Sequence, residues 1–166
     1  MWPHAFACTY TVTLKPDRLA TEFRVRNPSK EPFGFTAALH SYLATSSVRD
    51  ATLVGGFAGR AYLDKLDGET KTHPDRDELT VAAPGIDAVY EGLTGEIRLL
   101  DGGGRQLAVR SGGGWRDTVV WNPYGNEAMG YDAFVCVESA CALEPVQLPP
   151  GGEWVGTMEI VPSELE

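Results

Sequence analysis

Two residues stand out for proton chemistry. His40 closes the largely apolar segment 33–40 and is followed by Ser41-Tyr42, and Glu138 ends the run Phe134-Val135-Cys136-Val137-Glu138. Imidazoles and carboxylates are the side chains enzymes most often use to move protons near neutral pH. In an extended segment Glu138 shares a face with Phe134 and Cys136, and an ionised carboxylate on an apolar face is costly unless paired or hydrogen-bonded. Each residue also has a plainer reading. His40 fits a core histidine with its ring nitrogens satisfied, and Glu138 fits a solvent-facing position with Val135 and Val137 turned inward. Taken singly, neither identifies a site.

Other chemistries find little support. His4, His40 and His73 are dispersed, and neither His-Glu-x-x-His nor Cys-x-x-Cys occurs, so no metal is expected. Cys136 and Cys141 have the wrong spacing for a metal pair. The glycine-rich stretch 54–59 lacks the first glycine of a dinucleotide fingerprint and reads as a hairpin or loop. The triple glycines lack the Lys-Ser/Thr ending of a phosphate loop, and no Gly-x-Ser-x-Gly elbow is present. No cofactor is expected.

The elements that must position these residues read as strands. Phe6, Cys8, Tyr10, Val12 and Leu14 alternate with Thr9, Thr11 and Thr13, and Phe23 and Val25 resume after a turn at Lys15-Pro16-Asp17. Ile97 and Leu99 precede Gly102-Gly103-Gly104, after which Leu107 and Val109 continue, the pattern of a hairpin. Further strands are expected at 118–121, at 134–138, and from Trp154 to Ile160 after the turn Pro149-Pro150-Gly151-Gly152. No sustained i, i+3, i+4, i+7 apolar stripe occurs, so few or no helices longer than about two turns are predicted. With 19 glycines and 11 prolines among short strands, an all-β sandwich or barrel is the natural architecture. Residues 1–166 read as a single domain, with the polar stretch Asp67 to Glu78 expected as a long surface loop.

The chain has 166 residues, 43% of them apolar, enough for a real core. Its net charge of −9 argues against nucleic-acid partners, whose phosphates need a basic face, and against anionic membrane surfaces. An anionic ligand would need a local cluster of cations working against the overall field. Three cysteines without regular spacing suggest a reducing compartment, and no apolar run is long enough for a membrane span. A cytoplasmic protein is expected.

Several blocks, in order, resemble the hexose-6-phosphate mutarotases, also called glucose-6-phosphate 1-epimerases, which include the plant apospory-associated protein C-like proteins. They are Trp2-Pro3-His4, the segment 33–42, Gly56-Phe57, Tyr62-Leu63-Asp64-Lys65, Ile86-Asp87-Ala88-Val89-Tyr90, the segment 119–124, Cys136-Val137-Glu138 and the segment 148–154. The resemblance covers nearly the whole chain and matches the C-terminal part of the family's domain. It implies an antiparallel galactose-mutarotase-like supersandwich, here an N-terminally truncated version, acting on a small-molecule hexose phosphate. It maps the catalytic histidine onto His40, the catalytic glutamate onto Glu138 and a substrate-binding aspartate onto Asp87. Where the family usually has arginine after that aspartate, this chain has Ala88, which weakens the local support expected for Asp87. The arginines implied to hold the phosphate belong to the family's N-terminal portion. Arg24, Arg26, Arg49 and Arg60 remain, each with surface solubility as its default role. Tyr42 and Trp121 could offer ring faces to a sugar, although core burial is the expected role of both. Exposed strand edges are expected to favour self-association. The rival reading is a non-catalytic carbohydrate-binding or structural β-sandwich derived from a mutarotase.

Overall fold

Alternating apolar and polar residues, with glycine and proline at the breaks, produce fourteen strands among the described residues 2–164 of the computed structural model. The first eight are β1 (Ala7–Lys15), β2 (Arg18–Arg26), β3 (Phe33–Leu39), β4 (Tyr42–Ala44), β5 (Thr52–Val54), β6 (Ala61–Asp64), β7 (Glu69–Thr72) and β8 (Glu78–Thr80). The rest are β9 (Ile86–Tyr90), β10 (Gly95–Leu100), β11 (Arg105–Gly113), β12 (Asp117–Asn122), β13 (Phe134–Leu148) and β14 (Glu153–Glu164). Helix is confined to two short 3-10 turns, Glu127–Met129 and Tyr131–Ala133.

The strands form two antiparallel sheets. The first runs β1-β2-β14-β11-β10-β5-β8 and the second β3-β13-β12-β9-β6-β7, with β4 also paired to β13. Between them lies the main core, where Leu53, Ile97, Leu99, Val109 and Met158 of the first sheet share one cluster with Tyr90, Val120, Val135 and Val137 of the second. A smaller cluster joins Trp115 and Trp154 to Val25, Phe33 and Leu148. The glycine-rich turns fall as expected, with the 102–104 run closing the β10–β11 hairpin and Pro149-Pro150-Gly151-Gly152 joining β13 to β14.

One expectation needs correction. The polar stretch 67–78 is not simply a loop, because β7 lies inside it and β8 begins at its end. β7 is an edge strand held by backbone pairing to β6 and by Lys71 Nζ, 2.6 Å from Asp64 Oδ2, so it carries no apolar alternation to read. β1 lies at one end of the first sheet. Its Cys8, Tyr10, Val12 and Leu14 lie on the same face as Val25, Phe23, Thr21 and Leu19 of β2 by register, yet all nine residues of β1 are exposed. The edge therefore presents Tyr10, Val12 and Leu14 to solvent.

Gly156 shows how tightly the tryptophans are packed. A Cβ there would sit 2.4 Å from Trp115 Cε2 and 2.6 Å from Trp154 Cη2. We predict that Gly156→Ala destabilises the fold by about 1–3 kcal/mol through overpacking. A urea melt with an unchanged midpoint would contradict this packing.

Candidate active site

The outer face of the second sheet, away from the main core, holds the candidate site. Side chains alternate along a strand, so Val135 and Val137 of β13 enter the core while Cys136 and Glu138 point to the opposite face. Antiparallel pairing places Val119 beside Glu138 and Trp121 beside Cys136, and on the next strand Val89 beside Val119 and Asp87 beside Trp121. Val89, Val119 and Ala140 form a small apolar floor, with Leu63 and Leu143 packed against it. Above that floor lies a pocket of about 340 Å³, whose lining includes His40, Glu138, Asp87, Lys65 and Trp121. Such a volume is at the lower end of small-molecule sites.

His40 reaches this pocket because the edge of the sheet breaks beside it. β3 pairs with β13 as far as Leu39↔Ser139, and β4 takes over from Tyr42↔Cys136. His40 and Ser41 span the gap, with Ser41 N–H donating to the Leu39 carbonyl. The His40 ring stacks on Tyr42 at 4.8 Å and meets the Trp121 ring edge-to-face at 5.5 Å. Its Nδ1 lies 3.2 Å from Glu138 Oε1, with the His40 side chain 50% exposed and that of Glu138 only 7%. At the other end of the pocket Lys65 Nζ is 3.6 Å from Asp87 Oδ1.

Of the residues singled out in the sequence, His40, Glu138 and Asp87 thus line one pocket. His40 is not a core histidine. That description fits His73, which is buried with Nδ1 3.1 Å from the Tyr90 hydroxyl and Nε2 3.2 Å from the Glu78 carbonyl. Glu138 combines the two readings open in the sequence. It faces away from the main core, with Val135 and Val137 inward, yet it is buried. Tyr42 is exposed and Trp121 half-buried, so the rings beside His40 are not core residues as expected. Ala88 points into the main core, so a side chain there would not support Asp87, whose partner is Lys65.

Sequence reasoning gave Lys65 no role, although it supplies the lysine or arginine of the pocket lining. The four available arginines serve elsewhere. Arg24 pairs with Glu22 and Glu153, Arg49 reaches the Tyr131 hydroxyl, Arg60 donates to the Gly56 and Glu91 carbonyls, and Arg26 is exposed. The cue for Lys65 was its place two residues beyond Leu63, on the same face of an extended segment.

Burial raises the Glu138 carboxyl above the ordinary range, and the Asp87 charge adds to this while His40 and Lys65 oppose it. Burial also pushes the Cys136 thiol up to about 12. Asp101 provides the contrast. Accepting hydrogen bonds, first from the Arg105 backbone N–H, brings its carboxyl down to about 2. It lines a larger cleft of about 430 Å³, where Arg105 Nε at 2.8 Å already neutralises it. That cleft has more room, but it has no acid/base pair comparable to His40 and Glu138.

A carboxyl raised by folding binds its proton more tightly in the folded than in the unfolded state. Its contribution to stability is therefore complete below the unfolded value and is lost as pH rises through the folded one. The ionised form of Glu138 is therefore the less favourable one for folding. We predict that Glu138→Gln leaves the melting temperature unchanged or raises it at pH 7, with the gain shrinking in acid. A clear loss of stability would show that the carboxylate holds the fold together.

Comparison with known proteins gives the family and the fold. The sequence profile of the aldose 1-epimerase family matches residues 1–161. A protein of Cenchrus ciliaris provisionally named glucose-6-phosphate 1-epimerase is 31% identical over 176 residues, covering 98% of this chain and 53% of the relative. This chain thus spans about half the length of that curated relative. A provisionally identified mutarotase from Salmonella typhimurium superposes with a TM-score of 0.81 at 23% identity, covering 98% of this chain and 55% of that one. A galactose mutarotase related enzyme from Lactobacillus acidophilus gives 0.81 at 16% identity, covering 99% and 65%. The two-sheet antiparallel fold is that of the galactose mutarotase-like proteins, and the chain belongs to the aldose 1-epimerase family.

Proposed function

We propose that this chain interconverts the α and β anomers of a hexose 6-phosphate, with His40 and Glu138 as the acid/base pair and Asp87 as a ligand of sugar hydroxyls. The observation that carries the reading is the 3.2 Å contact of His40 Nδ1 with the buried Glu138 carboxylate inside a sugar-sized pocket. Opening a cyclic hemiacetal takes a proton from the anomeric hydroxyl and gives one to the ring oxygen. These two oxygens share one carbon, so an acceptor and a donor already in contact can serve both.

In the opening step the Glu138 carboxylate accepts the hydroxyl proton, the C1–ring-oxygen bond breaks, C1=O forms and protonated His40 supplies the ring oxygen. Rotation about C1–C2 presents the other face of the aldehyde. On closure His40 takes back the proton from the former ring oxygen as that oxygen attacks C1, and Glu138 gives its proton to the C1 oxygen, which restores both residues. Neither a metal nor an organic cofactor enters these steps. Burial favours this use of Glu138, because an under-solvated carboxylate is a stronger base than one in water.

The phosphate finds support in the name of the 31% identical relative and in Lys65. In a pocket with two carboxylates, on a chain of net charge −9, Lys65 supplies the positive charge that an anionic sugar needs. Sugar binding without turnover is the second reading, favoured by the half-exposed His40 and by the chain's partial span of its relatives.

Polarimetry or a coupled dehydrogenase assay on glucose 6-phosphate decides between them. His40→Ala and Glu138→Gln are each expected to lower kcat by about 10²-fold or more, the usual worth of one general acid or base. Wild-type protein that binds the sugar without accelerating its anomerisation would establish the second reading. Lys65→Met is expected to raise KM for glucose 6-phosphate about tenfold while changing KM for glucose far less, and equal effects on both sugars would remove the basis for phosphate preference.

A further inference from the structure

We propose that His40, Cys136 and Glu138 form a binding site for a borderline-soft divalent cation such as Zn²⁺, and that the bound ion blocks the acid/base pair. The inhibitory part rests on the proposed anomerisation, whereas the binding part rests on geometry alone. The imidazole nitrogen, thiol sulfur and carboxylate oxygen all lie within 4.8 Å of one another. Zn²⁺ holds such ligands at roughly 2.0–2.3 Å in a tetrahedron, which sets ligand-to-ligand separations of roughly 3.3–3.8 Å. The 3.2 Å contact between His40 Nδ1 and Glu138 Oε1 is already close to one edge of that figure. The 4.8 Å bound leaves the sulfur at most about 1.5 Å to close to reach its edges of the figure.

The second observation is that two of the three ligands are buried, and that one of them lacks a hydrogen-bond partner among the described residues. Cys136 is fully buried, and no hydrogen bond involving its thiol is found among the described residues, whereas the Cys141 thiol donates to the Gly114 carbonyl at 3.2 Å. The Glu138 side chain is 93% buried, and its close partner is His40. Buried polar atoms without partners carry a cost that a ligand can remove. The scaffold is also rigid. Cys136 and Glu138 are i and i+2 on one face of β13, backed by Val135 and Val137 in the core, with His40 at the adjoining edge. A nitrogen, a sulfur and an oxygen suit Zn²⁺, while Mg²⁺ and Ca²⁺ prefer oxygen alone. On binding, the thiol gives its proton to solvent and three protein ligands leave one position open. The ion occupies both groups that would otherwise move protons, so the expected effect is inhibition.

Tag-free protein titrated with Co²⁺ tests the site, because a cobalt–thiolate bond has a near-ultraviolet charge-transfer band. Saturation at one Co²⁺ per chain with that band is expected, with the band absent in Cys136→Ala. His40→Ala, which changes a half-exposed side chain, is expected to weaken Co²⁺ binding at least about tenfold, a loss that even outer partners of a metal can produce. Zn²⁺ should displace Co²⁺ and suppress anomerisation, a chelator should restore it, and Cys136→Ala should remain active with at least about tenfold lower sensitivity. Absence of the band in wild-type protein, or equal Zn²⁺ sensitivity in Cys136→Ala, would overturn the proposal. A chain that shows the band without anomerising its sugar would sink the catalytic reading and keep the metal site, and an active chain without the band would do the reverse.

Discussion

A carboxylate withdrawn from water beside a single imidazole is the constraint around which this molecule is arranged. Ionised Glu138 is disfavoured by burial, and its compensation from His40 is partial because that ring is half exposed. A carboxylate in this position gains by accepting a proton or a hydroxyl hydrogen bond from a ligand. The rest of the second sheet keeps it there. Val135 and Val137, on either side of Cys136, are locked in the main core, so the strand cannot rotate Glu138 out to solvent without exposing them.

The same sheet therefore packs into the core on one face and lines the pocket on the other. Along β9, Ala88 and Tyr90 enter the core while Asp87 and Val89 face the pocket, and along β12 Val120 enters while Val119 and Trp121 face out. Two-residue alternation, applied to three neighbouring strands in register, lays the pocket residues on a rigid floor. One irregularity completes the site. The edge partner of β13 changes from β3 to β4, and the gap frees His40 from regular pairing so that its ring can turn towards Glu138. Tyr42, the first residue of β4, stacks on that ring.

Charge is distributed with the same economy. The chain is strongly acidic, and most arginines are engaged with surface carboxylates, carbonyls or a tyrosine hydroxyl. Lys65 is held at the pocket by Asp87, and β6 extends there through the Lys65 N–H to Asp87 carbonyl hydrogen bond of 2.7 Å. The two charges form one end of the pocket and the His40–Glu138 pair the other, so a ligand lying across the floor meets polar groups at both ends. Asp101, saturated with hydrogen bonds and paired with Arg105, shows what a structural carboxylate looks like in the same chain.

Much of this was legible in the residue order. Alternation and glycine-rich turns pointed to antiparallel strands, the ordered blocks pointed to the family, and the same blocks named His40, Asp87 and Glu138. Periodicity could say that Glu138 shares a face with Cys136, but not whether that face was core, solvent or pocket, because a strand's two faces differ only in what lies against them. The polar edge strand β7 was missed because its pairing is backbone and ionic. Exposed strand edges were expected, but the apolar alternation of β1 matches that of a covered strand and did not single it out as one of them. Only the tertiary structure brought His40 to within 3.2 Å of Glu138, set Lys65 against Asp87 and placed the Cys136 thiol beside the pair. Those contacts depend on strand order and on the break between β3 and β4, which arise from pairing between distant segments and leave no local pattern in the chain.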